Sequence, residues 1–297
     1  MAERAEYGWE WFRSSMAKAT LWSEPPCRDA LGLVREIDEL VSQILAWPTS
    51  PFSERPQDYV VSLLVTRSFR LAVSTVHLSL AGYADSATVM QRTVWEIALR
   101  LLDMTTAPVE AASGYLLDSA AIEIGHLEAE VGYMEAEGEP LGFVPQNLEM
   151  AREHYADLRK AAADKGFAPD YLRGRHGRLN YRDVCRRFEM DRAYLVGYAF
   201  LGACAHEKNA ASDDFVKEKD EHRDFEVGPV GPPERNAATV FDVLGLMIGI
   251  LPIAASIMER KDLVEPAQQL ANRMQGFAPD GCRHEYESKE GDGRSAI

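Results

Sequence analysis

The chain has 297 residues, 46% of them hydrophobic, with a formal net charge of −15. That hydrophobic content belongs to a folded globular chain and excludes wholesale disorder. The acidic balance repels polyanions over most of the surface, so general nucleic-acid binding is not expected. Cys27, Cys185, Cys204 and Cys282 are scattered without a C-x-x-C pair, which excludes a disulfide framework and a zinc-site spacing and fits reduced thiols in a cytoplasmic protein.

The N-terminus, Met1 to Glu6, is charged and leads into Trp9 and Trp11 without an apolar h-region, so no secretion signal is expected. A first helix is predicted over Ala5 to Lys18. Pro25-Pro26 opens a second, with Leu33, Ile37, Leu40, Val41 and Ile44 at helical spacing, ending before Trp47-Pro48. After a loop from Pro51 to Pro56, a long helix is predicted from about Gln57 to Leu80, with Val60, Leu64, Phe69, Val73 and Val76 among its apolar positions. Gly82-Tyr83 breaks it, and Asp85 or Ser86 is the expected N-cap of the next helix, which runs to about Thr105. Its apolar stripe reads Val89, Thr93, Ile97, Leu101 and Met104.

A further helix follows Pro108 and reaches about Glu137, a loop carries Gly138-Glu139-Pro140 and Gly142, and another helix covers roughly Gln146 to Lys165. Gly166 to Asn180 reads as irregular and holds the obvious basic cluster, Arg173 to Arg178, followed by Arg182, Arg186 and Arg187. Asn180 can cap a short helix through Phe188, and Asp191 another from Arg192 to about His206. Residues 207–235, charged and punctuated by proline and glycine, are expected to be a mobile loop or lid. A last long helix is predicted from near Asn236 to Gln275, kinked at Pro252 and Pro266, and 276–297 reads as a disordered tail.

No stretch alternates as a strand would, so the expected fold is an all-α multi-helix bundle with one main core over residues 1–275. Its parts are N-terminal helices in 1–47, a central bundle in 57–206 and a core helix in 236–275. Within that last helix, Val243 to Met258 is a 16-residue run without a charge that contains Gly245-x-x-x-Gly249. A membrane-spanning helix needs about 20 apolar residues; the run is shorter and holds Pro252. It is predicted to be a core helix whose Leu244, Met247, Ile248 and Leu251 touch the helices of 57–80 or 85–105, with no membrane role. The two glycines are expected at a close helix–helix contact.

Several polar groupings could carry chemistry. Arg92, Glu96 and Arg100 recur every fourth residue and share one helix face, either as a surface charge ladder or as a partly buried ion pair, which is costly unless used. His206 ends its helix after small residues, where the helix terminus favours imidazolium, and could meet Glu96. Glu123-x-x-His126 is the pair that di-iron or di-manganese bundles employ, and Glu96, Glu153, His154 and His206 could complete such a ligand set; the other expectation is no cofactor. Arg70 and His77 lie two helical turns apart on one face, with Ser74 between them.

The run Arg92-Thr93-Val94-Trp95-Glu96, followed about 100 residues later by a helix ending in His206, resembles an uncharacterised bacterial all-helical family with the motifs R-[ST]-x-x-E and S-x-x-x-H-P. Here Gly202 and Glu207 stand at the serine and proline positions. The likeness spans roughly Val60 to Met258 and implies a helical bundle with Arg92, Glu96 and His206 as candidate site residues, without implying a reaction. Separately, Arg70-x6-His77 resembles the R-x(4–6)-H motif of HEPN-type helical domains. That likeness implies a ribonuclease or defence-type protein in which the histidine acts as acid/base on a 2′-hydroxyl and the arginine steadies the phosphate. The leading expectation is therefore a helical bundle of unknown function whose polar pocket binds a small molecule or a protein partner, or performs acid/base chemistry. A HEPN-like ribonuclease and a non-haem di-metal oxidase are the alternatives, and homodimerisation is compatible with each.

Overall fold

The computed structural model describes residues 25–46, 54–81, 83–170, 172, 179–191, 216–219, 224–227 and 233–275. Eight helices lie among them: α1 (Pro25–Leu45), α2 (Pro56–Leu80), α3 (Ala84–Met104), α4 (Pro108–Glu137), α5 (Val144–Asp164), α6 (Tyr181–Arg187), α7 (Pro233–Ile257) and α8 (Lys261–Gln275). The expected helices at Ala5 to Lys18 and Arg192 to His206, and the tail, lie outside the described residues.

Proline sets most of the starts. Pro56 and Pro108 open α2 and α4 and Pro145 lies in the first turn of α5, where a missing N–H costs nothing and φ is already helical. Asn180 caps α6, its side chain accepting from the Arg182 N–H at 3.2 Å, as its position predicts. The cap position of α3 is Tyr83, with no side-chain bond, so the helix begins ahead of the Asp85 or Ser86 expected to cap it. Gly138, at φ 69°, closes α4 in the left-handed conformation that glycine adopts without a Cβ penalty.

Apolar residues of α1 to α5, α7 and α8 form one main core. The central helix is α7, packed against α2 and α3, with α1 and α8 on its flanks. Leu244, Met247, Ile248 and Leu251 are all buried, and the contacts of α7 with α2 and α3 are those the stripe predicts. Two segments, Pro56–Leu80 and Ala238–Ile257, are long and apolar enough to cross a membrane by length and composition; here both are packing elements of the main core.

The structure departs from the expected elements in four places. The single kinked helix over 236–275 is two helices, because the chain turns at Met258 to Arg260. There the Arg260 N–H returns to the Ala255 carbonyl at 2.8 Å and Glu259 adopts φ 60°, while Pro252 and Pro266 sit inside α7 and α8. Of the two glycines, only Gly245 lies at a close approach, since a Cβ there would stand 3.3 Å from the Met274 methyl of α8; Gly249 is exposed with open space beside it. Val89 leaves the stripe of α3 and is exposed. Within 207–235, strands β1 (Val216–Lys219) and β2 (Asp224–Val227) pair antiparallel with Val216 opposite Val227, a ribbon whose charged sequence shows no apolar alternation.

A satellite core of Leu99, Val184 and Cys185, with Trp95 and Phe188 against it, fixes α6 onto α3. Burial pushes the Cys185 thiol up, and the nearby Asp191 carboxylate adds to the effect. Since the thiolate is the reactive form, Cys185 is expected to resist iodoacetamide at neutral pH while the protein is folded. Peptide mass spectrometry checks this, and labelling as fast as in urea would show that α6 does not close over the thiol.

Candidate functional site

The fourth-residue spacing on α3 predicts that Arg92 and Glu96 share a face, and they pair: Arg92 Nε donates to Glu96 Oε1 at 3.2 Å. Their side chains are 22% and 29% exposed, so the pair is withdrawn from solvent rather than part of a surface ladder. Arg100, one turn further on, also meets the next helix. Its guanidinium lies over the Tyr115 ring of α4, 4.9 Å from the centroid, within cation–π range.

Around the pair the surface of α3 is unusually polar for a core-facing helix. Thr88 and Gln91 are both buried, and so is Thr239 on α7. Gln91 also hydrogen-bonds the Asp242 carboxyl of α7, a tie between helices far apart in sequence. Asp242 has exposed surface of its own, yet the protein around it desolvates the carboxyl and pushes its pKa up, an effect larger than the opposing pull of Gln91. The carboxyl is thus reached by solvent yet has few water neighbours, which disfavours its charged form. Sequence reasoning singled out neither Gln91 nor Asp242. The available signal was a threonine and an aspartate one turn apart at the start of an otherwise apolar helix.

At the end of α3, Asp103 is buried and forms an ion pair with Arg187 of α6. Arg186 pairs with Asp183 and Asp191. The described part of the basic cluster is thus largely neutralised by local carboxylates and does not form a cationic patch.

The other predicted groups fare differently. His206 lies outside the described residues. Glu123 and His126 are exposed on α4, and Glu153 and His154 are exposed on α5. Among the described residues, no three His, Cys, Asp or Glu side chains come together in a group that could hold a metal ion, so the described members of the expected Glu96, Glu123 and His126 ligand set do not assemble. The helical period that put Glu123 and His126 on one face put them on the solvent face. Arg70 and His77 do share a strip of α2: Arg70 is exposed, His77 is half-buried, and Ser74 between them donates to the Arg70 carbonyl at 2.9 Å. Arg70 and Ser74 line an open groove of about 720 Å³ together with Tyr59, Leu63, Arg67 and Tyr115, whereas His77 is not part of its lining.

A helical bundle with a withdrawn ion pair and a desolvated carboxyl can hold a polar ligand or move a proton. No curated protein and no solved structure matches the chain. A model of a family of unknown function matches residues 58–223, the span from α2 through α6 and β1, in keeping with the uncharacterised all-helical family that the sequence resembles. With more than half of its length covered by that model, the chain belongs to this family of unknown function, DUF5677.

Proposed function

We propose that the polar face shared by α3 and α7 binds a small polar ligand, with Arg92 and Glu96 supplying opposite charges and Asp242, held by Gln91, a proton-sensitive hydrogen-bonding group. The supporting observation is the Asp242 carboxyl. It is desolvated and bonded to Gln91 of α3, the residue next in sequence to the Arg92 of the half-withdrawn ion pair; a desolvated carboxyl of this kind costs stability and recurs where burial and charge are used for binding or acid/base work. The net charge of −15 disfavours a polyanionic ligand.

Two measurements test this. Asp242 has a raised pKa in the fold, so its full contribution to stability is present below the unfolded-state value and is lost as pH rises through the folded value. Asp242→Asn removes that loss. The variant is expected to gain on the wild type in urea unfolding at pH 7 and to lose that advantage near pH 4. Differential scanning fluorimetry against a panel of small organic acids, amines and zwitterions is then expected to find compounds that raise the wild-type Tm but leave Arg92→Ala and Asp242→Asn unmoved. If the active compounds stabilise both variants as well as the wild type, the site is elsewhere; if none stabilises the wild type, the ligand-binding reading is wrong.

A further inference from the structure

The longest helix, α4, has two different halves. Its first half packs Ala111, Ala112, Leu116, Leu117 and Ala120 into the core; its second half runs out with α5 as a two-helix arm, and no residue from Ala121 to Glu137 is fully buried. Opposite the α5 side, helical spacing places Tyr115, Ile122, His126 and Tyr133 on one strip. Ile122 and Tyr133 are 53% and 63% exposed, large apolar side chains that recur along the strip.

The base of this strip is the open groove, since Tyr115 lines it beside Tyr59 and Leu63, both exposed, and Arg67 and Arg70 of α2. Neither of those two arginines has an acidic partner among the described residues, whereas Arg35, Arg55, Arg92, Arg152, Arg159, Arg186, Arg187, Arg260 and Arg273 each hold a carboxylate and Arg100 an aromatic ring. The outer end is acidic: Glu130 and Glu137 border Tyr133 at helical spacing, are exposed, and hold no cation among the described residues. One continuous face is therefore cationic and apolar at one end and anionic and apolar at the other.

Such a face is complementary to itself after a two-fold rotation. Tyr115 and Tyr133 are 18 residues apart in the chain, about 27 Å along the helix axis. A two-fold axis midway between them, beside Ile122 and His126, lays the outer end of one arm on the groove of a second copy, and the reverse. Tyr115 then meets the second copy's Tyr133, and Arg67 and Arg70 meet its Glu130 and Glu137. We infer that this chain forms a two-fold dimer by reciprocal seating of the α4 arm in the Tyr59–Tyr115 groove of a second copy. The contact is isologous, so every pairing is made twice and the assembly closes at two.

Charge reversal tests this without relying on one variant. In sedimentation velocity, the full chain at high micromolar concentration is expected to run at twice its 33.1 kDa mass. R67E/R70E sets acid against acid and E130R/E137R sets base against base, so each alone is expected to weaken the dimer at least about a hundredfold. Mixed in equal amounts, the two variants have both groove-and-arm pairings restored and are expected to recover the dimer. Circular dichroism must show wild-type helix content in each, and Y133E is expected to give monomer as well. A wild-type monomer throughout overturns the inference and leaves the face to a different partner. A dimer that survives both reversals, or that mixing fails to recover, overturns it too.

Discussion

Replacing Met247 with alanine is expected to lower the free energy of unfolding by about 3 kcal/mol, and Ile248→Ala by a similar amount. Both side chains are fully buried on α7, which lies against both α2 and α3. A truncation there opens a cavity that neither neighbouring helix can fill without giving up its own packing, so the lost transfer energy and the cavity add. Urea unfolding followed by circular dichroism measures the loss, with the half-buried Leu246 as the control expected to cost less. An Ile248→Ala loss no larger than that of Leu246→Ala would show that α7 is not the packing centre. The same reasoning predicts that a fragment confined to residues 58–223, the span of the family match, fails to fold, since it lacks α1, α7 and α8 and leaves the inner faces of α2 and α3 exposed. A fragment with a cooperative transition of its own would contradict this.

The helices are legible because their physics is local. Prolines at 56, 108 and 145 announce helix starts, and Leu33, Ile37, Val41 and Ile44 show by spacing alone which side of α1 goes inward. The break between α7 and α8 is not legible for an equally definite reason. The left-handed residue there is Glu259 rather than glycine, and the two prolines that would mark an interruption lie inside the helices on either side. The β1–β2 ribbon is hidden because its residues are mostly charged, so no face carries the apolar period that sequence reasoning detects. At the candidate site, the Arg92–Glu96 pair follows from a spacing of four. The Gln91–Asp242 contact joins residues far apart in sequence, and no local rule brings them together. Glu123 and His126 teach the converse: a motif at the right period is only a motif until packing decides which way that face points.

Packing also decides the second large effect, at Arg55 before the first turn of α2. Arg55 Nε lies 2.8 Å from Asp58 Oδ2, and the Asp58 side chain is 1% exposed. Its carboxyl is pushed up by desolvation, against the lowering pull of Arg55. The helix N-terminus favours the anion, but that alone does not replace a guanidinium. Arg55→Met keeps most of the aliphatic contact and leaves a buried carboxylate without its cation, expected to cost about 2 kcal/mol at pH 7. With the folded pKa of Asp58 already raised, and raised further in the variant, the stability lost as pH rises through that value grows. The deficit should therefore shrink near pH 4, where Asp58 takes up a proton in both states. Arg55→Met with Asp58→Asn is expected to recover much of the loss, because the stranded charge is gone. Glu259→Gln, at the other end of the same guanidinium, is expected to change little, since Glu259 is 72% exposed and such pairs contribute little in water. Urea unfolding of the three variants at both pH values checks the set. An Arg55→Met deficit that is the same at pH 4 as at pH 7 would mean that the arginine contributes packing alone.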